Sequence, residues 1–174
     1  IMDYQAAEGG EKVRDQAYAE SVDCCLDQIT NDDFVGVQMY TRHTYGPDGI
    51  IKPKADDPNM LVMGYEYYPE SLENVVRYVS SKIKTPIMIT ENGIGTDDDN
   101  QRIQYLTTAL QGLQKCLDDG IDVRGYFCWS LLDNFEWLFG YKPRFGLVEV
   151  NRETLDRQAK KSFKFFKDVI DQSS

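Results

Sequence analysis

The sequence predicts an α/β fold with parallel strands, amounting to about half of a (β/α)8 TIM barrel. Strand-like runs alternate with helical ones, and a helix after each strand implies parallel pairing through crossovers. The segments that follow strands are long, at residues 41–68 and 131–146, while the returns at 80–85 and 118–122 are short. That asymmetry fits a barrel whose chemistry sits on its βα loops. The chain has 174 residues and three such strands, whereas eight units need at least ~200 residues. Residues 1–174 therefore read as a single partial domain, and a first residue other than Met fits a fragment of a longer chain.

The elements follow in order. Residues 12–28 predict a helix with Val13, Ala17, Val22, Leu26 and Ile29 along one side. Asn31-Asp32-Asp33 signals a turn before the β-rich run 34–40. Gly46, Pro47, Gly49, Pro53 and Pro58 make 43–66 a long loop, a length more often functional than idle. Pro69 suits a first helical turn, with Leu72, Val75, Val76 and Val79 as the buried side of that helix. Pro86-Ile87-Met88-Ile89-Thr90 reads as a buried strand, closed by a turn at Glu91-Asn92-Gly93 in which Gly93 tolerates positive φ. Residues 100–118 form the clearest helix, striped by Ile103, Leu106, Leu110, Leu113 and Leu117 and stopped by Gly120. A third strand is expected at 123–130, and a last helix at 157–171 that buries Ala159, Phe163, Phe166 and Ile170.

Composition narrows the function classes. Lys and Arg number 19 against 29 Asp and Glu, a net charge of −10. Such a surface repels phosphate backbones and anionic lipid, so neither nucleic acid nor membrane is an expected partner. No apolar run approaches the ~20 residues of a membrane span, and the polar sequence after Ile1–Asp3 is not what a signal peptide is expected to look like. Cys24, Cys25, Cys116 and Cys128 form no CxxC, and with His43 as the single histidine they assemble no metal-ligand set. Reduced, mostly buried thiols in a cytoplasmic protein are expected, with no metal and no cofactor. Phosphate-cradling glycine loops and a GxSxG nucleophile elbow are missing from the sequence.

Four features bear on chemistry. Glu91 stands where its strand ends, over the mouth of a barrel, although Glu before Asn-Gly also suits an ordinary turn. Trp129-Ser130-Leu131-Leu132-Asp133-Asn134-Phe135-Glu136-Trp137 holds both tryptophans, a phenylalanine and two carboxylates. Aromatic faces suit the C–H faces of a sugar and Glu136 suits its hydroxyls; core aromatics under a loop fit equally well. Tyr40 closes the first strand, either as a half-buried strand tyrosine or as a donor that keeps a neighbouring carboxylate ionised. His43 reads as a rim residue rather than a general base.

Ile89-Thr90-Glu91-Asn92-Gly93 and the segment 129–137 resemble two signatures of family 1 glycoside hydrolases, the β-glucosidase family. The resemblance extends through Asp33-Phe34-Val35-Gly36-Val37-Gln38-Met39-Tyr40, Tyr68-Pro69-Glu70-Ser71-Leu72 and Arg144-Phe145-Gly146-Leu147-Val148, and covers nearly the whole chain in order. It implies a (β/α)8 barrel that hydrolyses β-glycosides with retention, of which this chain carries strands 6 to 8 and helices 5 to 8. Residues 1–4 then match the exit of the fifth strand. Glu91 matches the nucleophile, and Tyr40 the tyrosine bonded to it. Trp129 matches the platform under the sugar, Glu136 and Trp137 the residues that bind its distal hydroxyls, and Phe145 an aromatic that closes the subsite. Gln38 stands where many members carry Asn, a longer amide that must shift to reach the same partner. The acid/base of the family belongs to an Asn-Glu-Pro motif, and this chain holds neither that motif nor the family's His-Trp pair.

The expected function is therefore retaining hydrolysis of terminal β-D-glucosyl residues through a covalent glycosyl-enzyme on Glu91. The expected partners are a β-glucoside or related oligosaccharide, and either a complementary N-terminal half-barrel or a second copy of the chain. Alternatives are a non-catalytic sugar-binding half-barrel and an idle structural fragment.

Overall fold

The computed structural model describes residues 1–54 and 56–172; Ala55, inside the expected loop 41–68, and residues 173–174 lie outside that description. Along the chain come β1 (Asp3–Ala6), α1 (Glu11–Tyr18), a π turn (Ala19–Asp23) and α2 (Cys24–Leu26). They are followed by β2 (Val35–Met39), the hairpin β3 (Arg42–Gly46) and β4 (Gly49–Ile51), and α3 (Ser71–Lys82). Next are β5 (Ile87–Asn92), α4 (Asp99–Asp118), β6 (Val123–Cys128) and a 3-10 turn (Trp137–Phe139). A second hairpin, β7 (Val148–Val150) and β8 (Arg157–Ala159), precedes α5 (Lys161–Gln172).

The scaffold is the expected parallel sheet, in the order β2-β5-β6. Side chains alternate across a strand, and β2 obeys this cleanly: Val35, Val37 and Met39 are buried, Gly36 and Gln38 exposed. Ile87 and Ile89 of β5 are buried in register with Val35 and Val37. The same core takes Leu72, Val75, Val76 and Val79 from α3 and Tyr105, Leu106, Ala109 and Leu113 from α4. The α3 residues recur at i, i+3, i+4 and i+7, which is one side of a helix. The opposite side of β2 stays open at Gly36 and Gln38.

Several expectations need correction. The segment 41–68 is not one long loop: Arg42–Gly46 pairs in parallel with β1 and folds back on Gly49–Ile51. Residues 157–159 are a strand, so the last helix begins at Lys161 and leaves Ala159 exposed; Ile170 is exposed too. Pro69 precedes α3 instead of opening it. The α4 stripe is rotated by about one residue, with Arg102, Tyr105, Ala109, Gly112 and Cys116 buried beside Leu106 and Leu113, and Leu117 exposed. Cys24 and Cys25 are exposed, so half of the thiols are outside the core. The buried side of this first helical stretch is Tyr18, Val22 and Leu26, so Tyr18 takes the core position expected for Ala17.

The helices are tied by a carboxylate at the start of α4. Asp99 accepts the Ser162 hydroxyl at 2.6 Å and the Ser162 amide at 2.9 Å, so it caps the first turn of α5. Arg102 donates to the same carboxylate at 3.1 Å. Burial pushes the Asp99 carboxyl up, but the Ser162 and Arg102 hydrogen bonds outweigh it and hold it below the usual carboxylate value. A depressed carboxyl stabilises the fold above its unfolded pKa and loses that contribution as pH falls through its folded pKa. Asp99→Asn should cost about 1–3 kcal/mol at neutral pH. The difference from the parent chain in urea unfolding should shrink as pH falls through the lowered pKa of the folded Asp99 carboxyl. Separately, Leu72→Ala, at a fully buried site, should lower stability by about 2–5 kcal/mol with an unchanged urea m-value.

Candidate active site

The site is built at the carboxyl end of the sheet, and its geometry begins with an irregularity in β5. Val37 pairs with Ile89, but the next residue, Gln38, pairs with Glu91, leaving Thr90 as an extra residue. A bulge of this kind re-aims the side chains after it. Strict alternation from Ile87 and Ile89 would send Glu91 into the helix-covered core. The inserted Thr90 puts Glu91 on the open side beside Gln38 and turns Asn92 into the core, where it is fully buried. Glu91-Asn92-Gly93 is thus the end of a strand and not the expected turn. Gly93 has no positive φ either; a Cβ there would lie 1.9 Å from the Trp129 carbonyl oxygen, so glycine is required by close approach.

Both oxygens of Glu91 are held. The Tyr40 hydroxyl donates to Oε2 at 2.6 Å and the Gln38 amide donates to Oε1 at 2.8 Å. The longer amide at position 38 therefore reaches the carboxylate directly. Burial, and then the hydrogen bond to Glu91, push the Tyr40 phenol far up, so it remains a neutral donor. Tyr40 also feels the charge of Glu136, which puts two carboxylates around one phenol.

Glu136 is buried and arrives from the loop after β6. Its Oε1 accepts the Trp129 indole at 3.1 Å and the Asn134 amide at 2.5 Å. The loop is anchored at its base by a buried ion pair, Lys160 with Asp133 at 2.9 Å. Asp133 also accepts the Gly146 amide at 2.9 Å, and Lys160 donates to the Gly146 carbonyl at 2.7 Å. Gly146 has no room for a side chain, since a Cβ would sit 2.2 Å from the Asp133 amide nitrogen. This packing buries Phe145, whose ring meets Tyr40 edge-on at 6.1 Å.

Gln38 and Tyr40 thus meet on Glu91, Trp129 meets Glu136, and Phe145 packs against Tyr40. Trp137 does not join them: it is 87% exposed, on the 3-10 turn, with φ at +37°. A bulky residue is costly in that region of backbone space. His43 is half-buried in β3, stacked on Tyr4, and burial lowers its pKa. The sequence reading missed Tyr65, whose ring lies 6.5 Å from Tyr40. Its hydroxyl is buried and unpartnered among the described residues, and burial with the Glu136 charge pushes it up. Among the described residues no cluster of three or more His, Cys, Asp or Glu suits a metal ion, and no helix is long and apolar enough to cross a membrane. A partly exposed carboxylate held by two donors can present a nucleophilic oxygen, and a second carboxylate paired with an indole can bind hydroxyl groups.

The comparisons agree with that chemistry. The family model "Glycosyl hydrolase family 1" matches residues 25–174, and the chain belongs to this family. It is 42% identical over 122 residues to a bifunctional β-D-glucosidase/β-D-fucosidase of Bifidobacterium breve, covering 62% of this chain and 26% of that protein. It is 36% identical over 148 residues to β-glucosidase A of Acetivibrio thermocellus, covering 79% of this chain and 32% of that one. The crystal structure of β-glycosidase BGL167 superposes with a TM-score of 0.91 at 44% identity, over 99% of this chain and 41% of the other. A β-glycosidase from Pyrococcus horikoshii superposes with a TM-score of 0.84 at 32% identity, over 97% of this chain and 46% of the other. The chain spans between about a quarter and a half of the length of the curated relatives it matches.

Removing Lys160 leaves the buried Asp133 carboxylate with the Gly146 amide but without its cation. Lys160→Ala should therefore destabilise the chain by about 3–5 kcal/mol in urea unfolding, well beyond an exposed Lys167→Ala.

Proposed function

We propose that this chain is the nucleophile-bearing part of a retaining β-glycosidase that removes terminal β-D-glucosyl residues. The observation that carries the proposal is the clamp on Glu91, with Tyr40 at 2.6 Å and Gln38 at 2.8 Å, in a strand-end motif that resembles the family's nucleophile signature. In this scheme Glu91 attacks the anomeric carbon to form a glycosyl-enzyme, which water then hydrolyses. Tyr40 holds the carboxylate aimed. Trp129 lies under the sugar ring, Glu136 binds its distal hydroxyls, and Phe145 closes the pocket. A retaining mechanism needs a second carboxyl group about 5–5.5 Å from the first, as acid and then base. Glu136 is already engaged by Trp129 and Asn134, so the acid/base is assigned to a complementary half.

The same reading makes β2, β5 and β6 the sixth, seventh and eighth strands of a barrel. Two features support a partner for the open sheet, either the complementary half or a second copy. The outer edges of β2 and β6 have no neighbour among the described strands, and exposed edges recruit pairing. Beside β6 runs an apolar cleft of about 470 Å³ lined by Tyr126, Phe127, Leu131, Leu147, Phe163 and Phe166. A cytoplasmic location is part of the proposal, supported by four free thiols.

An activated 2-fluoro glucoside should label Glu91 in the isolated chain, and peptide mass spectrometry should find the adduct there and not on Glu136. Steady-state hydrolysis of alkyl glucosides should be negligible until an N-terminal half-barrel is added. In that reconstituted enzyme Glu91→Gln should lose on the order of 10³-fold or more in kcat. Labelling of Glu136, or steady alkyl-glucoside turnover by the chain alone, would overturn the assignment.

A further inference from the structure

Behind the clamp lies a buried polar network that the chemistry above does not use. Asn92 is fully buried, next to Glu91 in sequence but on the other side of the sheet. Its amide donates to the Met39 carbonyl at 2.6 Å and to the Tyr105 hydroxyl at 3.1 Å. Tyr105, also fully buried, donates to the Tyr40 carbonyl at 3.0 Å. From β6, the Tyr126 hydroxyl donates to Asn92 Oδ1 at 2.8 Å, and the Trp129 amide donates to the Asn92 carbonyl at 2.8 Å. One side chain thus links the end of β2, the end of β6 and helix α4.

We propose that Asn92, Tyr105 and Tyr126 are positioning residues, which fix the backbone of Tyr40 against that of Glu91 so that the clamp on the nucleophile has one geometry. The inference rests on the glycosidase reading but concerns different atoms. A bulge interrupts the ladder between β2 and β5 just before Gln38 and Glu91, so regular sheet pairing alone does not set the approach of Tyr40. The network supplies the missing constraint: Tyr105 and Asn92 hold the carbonyls of Tyr40 and Met39 from the core side. Buried networks of this type are rigid when every member is satisfied, and each hydroxyl and amide named here has a partner. Burial also pushes the Tyr105 and Tyr126 phenols up, so both stay neutral hydroxyls.

Tyr105→Phe and Tyr126→Phe each delete one hydroxyl and keep the ring. Tyr78→Phe, which loses a hydroxyl bonded to Asp23 instead, serves as the control. Three quantities are read on the full chain: solvent exchange of the Gln38 side-chain amide by NMR, the rate of Glu91 labelling by the activated 2-fluoro glucoside, and the Kd of a glucose-like iminosugar. In both variants the Gln38 amide should exchange faster and labelling should slow, each by about tenfold, while the Kd stays within about twofold and the α3 backbone amides keep their protection. The control should change none of these. Unchanged exchange and labelling in both variants would overturn the proposal, and so would a loss of protection spread evenly over all amides. A parent chain that takes no label, but whose Gln38 amide still responds to Tyr105→Phe, would sink the glycosidase reading and uphold the positioning role.

Discussion

One inserted residue, Thr90, decides which side of the sheet carries the chemistry. In a regular strand the alternation of Ile87 and Ile89 into the core would carry Glu91 with them, and an ionised carboxylate would be buried among valines and leucines. Desolvation of that kind costs several kcal/mol per ion. The bulge exchanges the two neighbours: Glu91 goes to the open side and Asn92 goes inward. An amide carries no charge and can satisfy itself inside, as Asn92 does with Met39, Tyr105 and Tyr126. The order Glu-Asn after an apolar strand is therefore a matched pair, in which each residue is acceptable only on the side that the bulge assigns to it.

The remaining irregularities serve the same end of the sheet. Gly93 lets the backbone pass against the Trp129 carbonyl, and Gly146 lets the returning loop lie against Asp133. The Lys160–Asp133 pair then fixes the base of the loop from which Glu136 projects. Burial lowers the Lys160 pKa while Asp133 raises it. The pair is a typical buried one, costly to form and costlier to break. The exposed ring of Trp137, at φ +37°, belongs to the part of the loop that these contacts do not reach.

Much of this was legible in the sequence. Three parallel strands, their crossovers and the helix sides of α3 follow from periodicity, because a buried helix face and a half-buried strand need different spacings. Glu91, Tyr40 and Gln38 were also found there, and the structure brings them within hydrogen-bond distance. Other features were hidden because local signals pointed elsewhere. Gly and Pro at 46–58 read as loop, yet β3 is held by β1, more than thirty positions earlier, a pairing with no local signature. Asn-Gly read as a turn, since the close approach that excludes a Cβ at Gly93 is made by a residue of another strand. The α4 stripe slipped because Arg102 is buried by its hydrogen bonds to the carbonyls of Ile94 and Thr96, and apolarity alone does not mark such a position. Tyr65 lay in the same supposed loop, without a pattern to single it out.

The β3–β4 hairpin sits inside the crossover from β2 to β5, between residues that meet across 53 positions of chain. The entropy of closing such a loop rises only with the logarithm of its length, about 0.6 kcal/mol for each doubling. The scaffold is therefore nearly indifferent to how much chain is inserted there, provided that the two strand ends still meet. Chain beyond β3 can lengthen or shorten and reshape the rim near Tyr65 while β3 keeps its pairing with β1. The cost falls on folding speed instead, because contacts this distant in sequence must form before the carboxylate clamp exists at all.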